Sequence, residues 1–135
     1  MSGLVVLDTN ILVSYLLPSK NITALKIVVS EVLRGCATPV YSDETVAEYE
    51  EVLSRPKFGF SNSKVRSLLN SIFKKGLYVV PLPTSLPFID SSDRCFYETA
   101  VAARTAWLIT GNKRHFPNEA FIVTPAEYLR LMQDH

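Results

Sequence analysis

Four separated stretches of the sequence carry acidic or amide side chains that could bind a metal ion. They are Asp8 after the apolar run LVVL, Glu48 in AEYEEVL, Asp93 in DSSDR and Asn112 in TGNK. Oxygen ligands without paired cysteines or histidines are those that hard cations such as Mg²⁺ or Mn²⁺ prefer. Carboxylates gathered in one place repel each other unless a cation neutralises them. Such a cluster would favour metal-assisted hydrolysis of a phosphodiester, in which the ion activates water.

Each of these residues also has an ordinary structural alternative. Asp8 and Asp93 are both suited to cap the helix that follows them, and Asp90 competes with Asp93 for any special role. Glu48 lies on a glutamate-rich helix that could simply be solvated, and Asn112 could be a turn residue. Only their positions relative to one another would raise them above these roles.

The elements that must position these residues alternate between strand and helix. Strands are predicted at Leu4–Leu7, Thr38–Tyr41, Leu77–Pro81, Ala106–Thr110 and Phe121–Val123. After a short helical turn following Asp8, helices are predicted over Ile22–Leu33, from Ser42 or Asp43 to Leu53, from Ser61 or Ser63, from Asp90–Asp93 and from Pro125. The stretch PLPTSLP is expected to be an extended connection. This alternation predicts an α/β fold of three layers, with a parallel sheet of about five strands between helices.

The carboxyl ends of parallel strands share one edge of a sheet, and ligands bind in the crevice there. Asp8, Thr9 and Asn10 follow the first strand directly, while Thr110 and Asn112 end the fourth. We therefore expect these two groups to lie at the same edge, with Glu48 and Asp93 approaching from their helices.

Length and composition limit the classes of protein that remain. A chain of 135 residues predicts a single domain over residues 1–135. No apolar run approaches the roughly 18–20 residues of a membrane span, and no export signal precedes the first strand. Cys36 and Cys95 form neither a disulfide framework nor a metal pair, which favours a reduced, cytoplasmic protein. The 14 basic residues nearly balance the 13 acidic ones, so net charge gives no support to nucleic-acid binding.

Two short segments could nevertheless contact phosphate or bases. Lys113 and Arg114 follow Asn112, where they would face the predicted site. Lys57 lies in RPKFGF, whose interleaved basic and aromatic residues could clamp a single strand, although core packing of the phenylalanines is the simpler expectation. His115 and His135 are assigned no role.

The motifs LDTNILVS, ETVAEYEEVLSRPKF, DSSDRCFYETAVAA and LITGNKRHFP, taken together, resemble those of the PIN-domain ribonucleases. This group contains the toxin halves of many prokaryotic toxin–antitoxin pairs. The resemblance covers nearly the whole chain. It implies a parallel sheet flanked by helices and RNA cleavage with Mg²⁺ or Mn²⁺ held by three or four acidic residues.

Carried over position by position, the resemblance makes Asp8 the first metal ligand, Glu48 the second acid and Asp93 the third. Thr9 or Asn10 would support them. These are the residues that the spacing had already selected.

The chain departs from the family at Asn112, where many PIN proteins have a fourth aspartate. An asparagine offers only a neutral oxygen, so a second ion would bind more weakly or need the substrate phosphate. Thr110 matches the family's threonine and would hydrogen-bond a carboxylate or a metal-bound water. The resemblance also implies a small antitoxin as partner and a homodimer.

Two alternatives remain open. A phosphatase of the haloacid dehalogenase type also has an aspartate after its first strand, but its second acid two residues later is replaced here by Asn10. A PIN-like module that binds RNA or protein without cleaving is the non-enzymatic alternative, and Asn112 keeps it open.

Overall fold

The computed structural model describes residues 3–19 and 21–133, and over these ranges it contains one sheet of five strands. The strands are Leu4–Leu7 (β1), Thr38–Tyr41 (β2), Leu77–Tyr78 (β3), Trp107–Ile109 (β4) and Ile122–Val123 (β5). All pair in parallel, in the order β3-β2-β1-β4-β5. In the central strand, Val5, Val6 and Leu7 are at most 1% exposed, which explains the apolar run without alternation.

Helices cover both faces of this sheet. They are Thr9–Leu16 (α1), Ala24–Leu33 (α2), Asp43–Leu53 (α3), Asn62–Lys75 (α4), Arg94–Ala103 (α5) and Pro125–Gln133 (α6). Helix α2 packs against α1, α4 and α6, whereas α5 packs against β1, β2 and β4. The crossover from β1 to β2, which contains α2, runs toward one edge of the sheet, whereas the crossover from β3 to β4, which contains α5, runs toward the other. Because such crossovers are right-handed, α2 and α5 lie on opposite faces. The predicted three-layer α/β/α architecture is confirmed.

Several helix boundaries follow from the signals expected of them. Ser42 caps α3 and forms a reciprocal capping box with Thr45, and Ser61 caps α4. Gly35 ends α2 with a φ of 83°, a left-handed conformation that glycine adopts without steric cost. Pro56 follows α3 and begins a short 3₁₀ turn.

Other boundaries differ from the prediction. Helix α2 begins at Ala24, and Ile22, expected on its inner face, is 85% exposed. The third strand ends at Tyr78 rather than Pro81, because an edge strand loses its ladder as the prolines begin. The segment after Asp8 is an eight-residue helix rather than a short turn. The fourth and fifth strands are each shorter than predicted.

The connection before α5 has neither helix nor strand over residues 79–90. Its middle is fixed at Thr84, whose N–H donates to Glu98 at 2.6 Å and whose carbonyl accepts from Arg94 at 2.7 Å. Throughout the described ranges, no helix combines the length and the apolar character needed to cross a bilayer.

Candidate metal centre

Asp8 and Thr110 meet at the carboxyl ends of the two central strands. The pairing of Leu7 with Ile109 continues beyond β1, because the Asp8 N–H donates to the Ile109 carbonyl at 3.0 Å. The Thr110 hydroxyl donates to Asp8 Oδ2 at 2.8 Å, and both residues are buried. The Asp8 side chain makes no capping hydrogen bond to α1. Asp8 therefore lies at the edge of the sheet, where the Thr9 and Asn10 N–H groups at the start of α1 are also close enough to lower its pKa.

Asp93 reaches the same edge from the start of α5, where it is 7% exposed. Its side chain does not cap the helix but contacts His115, with Nδ1 lying 3.2 Å from Oδ2. His115 Nε2 lies 3.0 Å from Asn112 Nδ2. With the Asn112 amide nitrogen donating to Nε2, the ring proton lies on Nδ1 and is donated to Asp93.

A continuous chain of hydrogen bonds thus connects the two buried acids. The Asn112 backbone N–H donates to the Thr110 hydroxyl at 3.0 Å, and that hydroxyl donates to Asp8. From the Asn112 side chain the chain continues through His115 to Asp93. Residues more than 80 positions apart in sequence are therefore held in one fixed arrangement.

His115 is the site residue that the sequence reasoning missed. A 3₁₀ turn over Lys113–His115 returns the ring to Asn112, and the His115 N–H donates to the Asn112 carbonyl at 3.1 Å. The i, i+3 spacing of Asn112 and His115 was a signal in the sequence, since one tight helical turn brings such residues together.

Glu48 lies on α3, half-buried, within the electrostatic field of the site. Partial burial and Glu51 raise its pKa most, and Asp8 also raises it, though less. The adjacent Tyr49 is fully buried and donates its hydroxyl to the Leu7 carbonyl, which fixes α3 against the end of β1. Glu48 is close enough to Asp8 to feel its charge, but it is the most exposed of the three predicted acids.

Buried hydroxyls hold α3 against α5. Ser42 Oγ lies 2.8 Å from Thr99 Oγ1, which itself donates to the Cys95 carbonyl at 2.7 Å. Since the Thr99 proton is used in that bond, Ser42 is the donor in the first. The Cys95 thiol lies close enough to the acids to feel them, and burial raises its pKa to about 12, which makes it an inert thiol.

Burial raises the pKa of both central acids. For Asp8 it outweighs the hydrogen bond from Thr110, which acts in the opposite direction. For Asp93, burial followed by repulsion from Asp8 and Asp90 raises the pKa to about 6, although His115 lowers it. Two anions are thus held in a place that solvates them poorly, and a cation would relieve the cost.

The residues at the site fit a hard cation in donor type but do not form a closed ligand set. Over residues 3–19 and 21–133, no group of three or more Asp, Glu, His or Cys side chains is arranged to hold an ion. The donors that are present are carboxylate and hydroxyl oxygens. Thr9 Oγ1, next to Asp8, is buried and has no hydrogen-bond partner in the described part of the chain. A buried, unpartnered oxygen beside a carboxylate fits an oxygen-coordinated ion.

The remaining predicted residues lie around this centre. Asn10 is exposed at the edge, two residues after Asp8. The Lys113 ammonium pairs with Glu127 at 3.1 Å, whereas Arg114 is exposed. Lys57 lies over the Phe58 ring, 5.1 Å from its centroid. Phe58 is half-buried and packs against the core, as the simpler expectation held.

Comparison with known proteins agrees with this architecture. A family model described as PIN domain matches residues 4–114, which include all three acids, and His115 lies one residue beyond the match. The chain belongs to the PIN domain family, whose members are in general nucleases. No curated protein and no solved structure matches the chain significantly.

Proposed function

We propose that the protein is an endoribonuclease that depends on Mg²⁺ or Mn²⁺ and hydrolyses RNA phosphodiester bonds. The observation that supports this most is the hydrogen-bonded chain between Asp8 and Asp93, two buried acids whose pKa values are both raised. A protein gains nothing in stability from burying two anions together, so the arrangement is explained by a ligand that is positively charged.

Asp8 and Asp93 would hold the ion, and Glu48 would complete the set by turning inward from α3. When bound, the ion supplies activation of water and neutralisation of charge on the scissile phosphate. The chain's own residues orient the acids: Thr110 holds one oxygen of Asp8, and His115 holds one oxygen of Asp93. Thr9 and Asn10 add neutral oxygens beside Asp8.

Asn112 takes a different part from the fourth acid of many PIN proteins. Its amide nitrogen is engaged by His115, so its side chain serves the hydrogen-bonded chain that orients Asp93. With a neutral and already bonded residue at this position, the site favours a single resident ion.

RNA would approach through the exposed basic residues. Arg114 and Lys57 are available for phosphate contacts, whereas Lys113 must be shared with Glu127. The formal net charge of +1 supplies little long-range attraction, so binding would depend on these local contacts.

The proposal is tested by incubating the purified protein with single-stranded and structured RNA in Mn²⁺, in Mg²⁺ and in EDTA. Asp93→Asn should abolish metal-dependent cleavage. Asp90→Asn is the matched control, because Asp90 is exposed and its side chain accepts from Ser92, a bond that asparagine can keep. Equal cleavage by Asp93→Asn and the unaltered protein would contradict the proposal.

We further propose, from the resemblance of the motifs, that the protein is the cytoplasmic toxin of a toxin–antitoxin pair. It would act as a homodimer and be neutralised by a small antitoxin protein. Induced expression should then arrest growth, and co-expression of a short neighbouring reading frame should restore it. Arrest that persists with Asp93→Asn would argue against a nuclease toxin.

A second function, binding of RNA or a protein partner without cleavage, is favoured by one observation. In the described part of the chain the acids do not form a closed group of three, and the fourth position is neutral. RNA retention without products under every metal condition would support this function. Family membership gives the phosphatase alternative no comparable support.

A further inference from the structure

A cavity of about 560 Å³ opens beside the acidic centre. Its walls are the first turns of α1, α2 and α6 and the loop after β4. This volume lies within the range of about 300–1,000 Å³ that small-molecule sites occupy.

The cavity and the acidic centre share a wall. Asn10 lines the cavity and follows Asp8 by two residues. Asn112 also lines it and, through His115, is hydrogen-bonded to Asp93. A group bound in the cavity could therefore belong to the same molecule as a phosphate positioned at the acids.

The lining is uncharged throughout, which sets this cavity apart from its surroundings. Its polar lining residues are Asn10, Asn112, Ser14, Thr23 and Thr124, and they are interleaved with apolar residues such as Leu25. A neighbouring cavity of about 490 Å³ is lined instead by Lys113, Arg130, Glu119 and Glu127.

This chemistry suits a neutral, flat ligand with hydrogen-bonding edges. A phosphate would need cationic partners that the lining lacks. A nucleobase offers apolar faces to half-buried side chains such as Leu25, and its edge carries donors and acceptors that asparagine amides match.

We propose that this cavity is a nucleobase subsite, which holds the base of the nucleotide adjoining the scissile phosphate. The proposal rests on the ribonuclease function above for the position of that phosphate. It adds that base recognition, rather than backbone charge alone, selects where the strand is held.

Adenosine 5′-monophosphate and ribose 5-phosphate are the probes, each titrated into protein with labelled isoleucine and leucine methyl groups. The base-containing probe should shift the methyl signals of Ile11 and Leu25, which line the cavity, and ribose 5-phosphate should not. Equal shifts with both probes, shifts confined to other methyls or no shifts at all would overturn the proposal.

Two variants locate the binding. Ala126 is exposed and lines the cavity, so Ala126→Phe should fill it and raise the nucleotide's dissociation constant by about tenfold. Ala120 is equally exposed but lines the charged neighbouring cavity, so Ala120→Phe should leave binding unchanged. Indistinguishable nucleotide affinities in the two variants would also overturn the proposal.

The outcome is separable from that of the ribonuclease proposal. Nucleotide binding is measured without metal and without cleavage, so a protein that binds in the cavity but never cuts RNA would keep the subsite and lose the nuclease. Metal-dependent cleavage with the same KM in Ala126→Phe and Ala120→Phe would support the nuclease and overturn the subsite.

Discussion

His115 connects the neutral residue Asn112 to the buried acid Asp93, and this fixes what each of its ring nitrogens does. Nε2 accepts from Asn112, and Nδ1 donates to Asp93. Partners that orient a metal-binding carboxylate typically contribute about 10- to 100-fold in metal affinity. His115 is therefore a positioning residue for Asp93.

We expect His115→Leu to weaken Mn²⁺ binding by about 10-fold or more, because Asp93 loses its donor. His115→Asn places an amide N–H near the position of Nδ1 and should recover most of the affinity, whereas His115→Gln, which imitates Nε2, should not. Calorimetric titration of Mn²⁺ into each variant measures this directly. If the asparagine and glutamine variants behaved alike, the assignment of the Nδ1 donor would be wrong.

Thr110 has two partners that its hydroxyl alone can satisfy. Thr110→Val removes the side-chain donor to Asp8 and leaves the Asn112 N–H without its acceptor, at a cost of about 1–3 kcal/mol in the free energy of unfolding. Thr105→Val is the control, since Thr105 is exposed in a turn. Urea unfolding of the two variants should separate them clearly, and equal stabilities would show that the buried hydroxyl is not needed.

At the scale of single residues, the sequence predicted that Asp8 and Thr110 lie at one edge of the sheet, because both follow the carboxyl ends of parallel strands. Asp93 reaches that edge from the start of α5. It could not place His115, because a histidine in a loop reaches a distant carboxylate only when a 3₁₀ turn directs it. Nor could it show that Glu48 is the most exposed of the three acids, since that depends on how α3 is seated.

The seating of α3 depends on Ser42, which does more than begin the helix. Its hydroxyl accepts from the Thr45 N–H and lies against Thr99 on α5, and both hydroxyl residues are buried. Glu48 follows on the same helix and Asp93 precedes the other. The contact between Ser42 and Thr99 therefore sets the spacing of two elements that carry acids.

We expect Ser42→Ala to destabilise the protein by about 1–3 kcal/mol, since it removes a helix cap and the buried hydrogen bond to Thr99, which keeps only its bond to the Cys95 carbonyl. Ser61 caps α4 from an exposed position, so Ser61→Ala should cost only about 1 kcal/mol. Chemical denaturation measures both. Combining Ser42→Ala with Thr99→Val should cost less than the two separate effects added together, and strict additivity would contradict the coupling.

At the scale of elements, the predicted strands and helices exist, the predicted turn after Asp8 is a full helix, and the remaining errors lie at element ends. Periodicity extended α2 to Ile22, yet that side chain is 85% exposed because the core ends one turn later. β3 was predicted to extend to Pro81, whereas it ends at Tyr78, and at the sheet edge both of its residues are exposed. Position in the sheet, which local pattern does not encode, decides the length of β3.

The free energy of unfolding of the whole molecule should depend on pH because of the buried acids Asp8 and Asp93. The pKa of Asp93 is about 6 in the fold against an ordinary 3.8, so between these values the folded state holds more protons than the unfolded state. The free energy of unfolding then falls as pH rises through this window, and Asp8, whose pKa is also raised, acts in the same direction. Asp90 and Glu127, whose pKa values are lowered, act oppositely at lower pH.

Comparison with Asp93→Asn isolates this contribution, because asparagine imitates the protonated acid at every pH. In EDTA the two proteins should be about equally stable near pH 4, whereas at pH 7.5 the variant should be more stable by about 1–2 kcal/mol. Each unit of pKa shift corresponds to about 1.4 kcal/mol, and solvent screens part of it. Saturating Mn²⁺ should reverse the order at pH 7.5, since an ion stabilises only the protein that binds it. Thermal unfolding at both pH values, with and without Mn²⁺, measures these differences. A variant that is less stable than the unaltered protein in EDTA at pH 7.5 would mean that the ionised Asp93 is well solvated or fully paired. The argument for a cation at this edge would then fail.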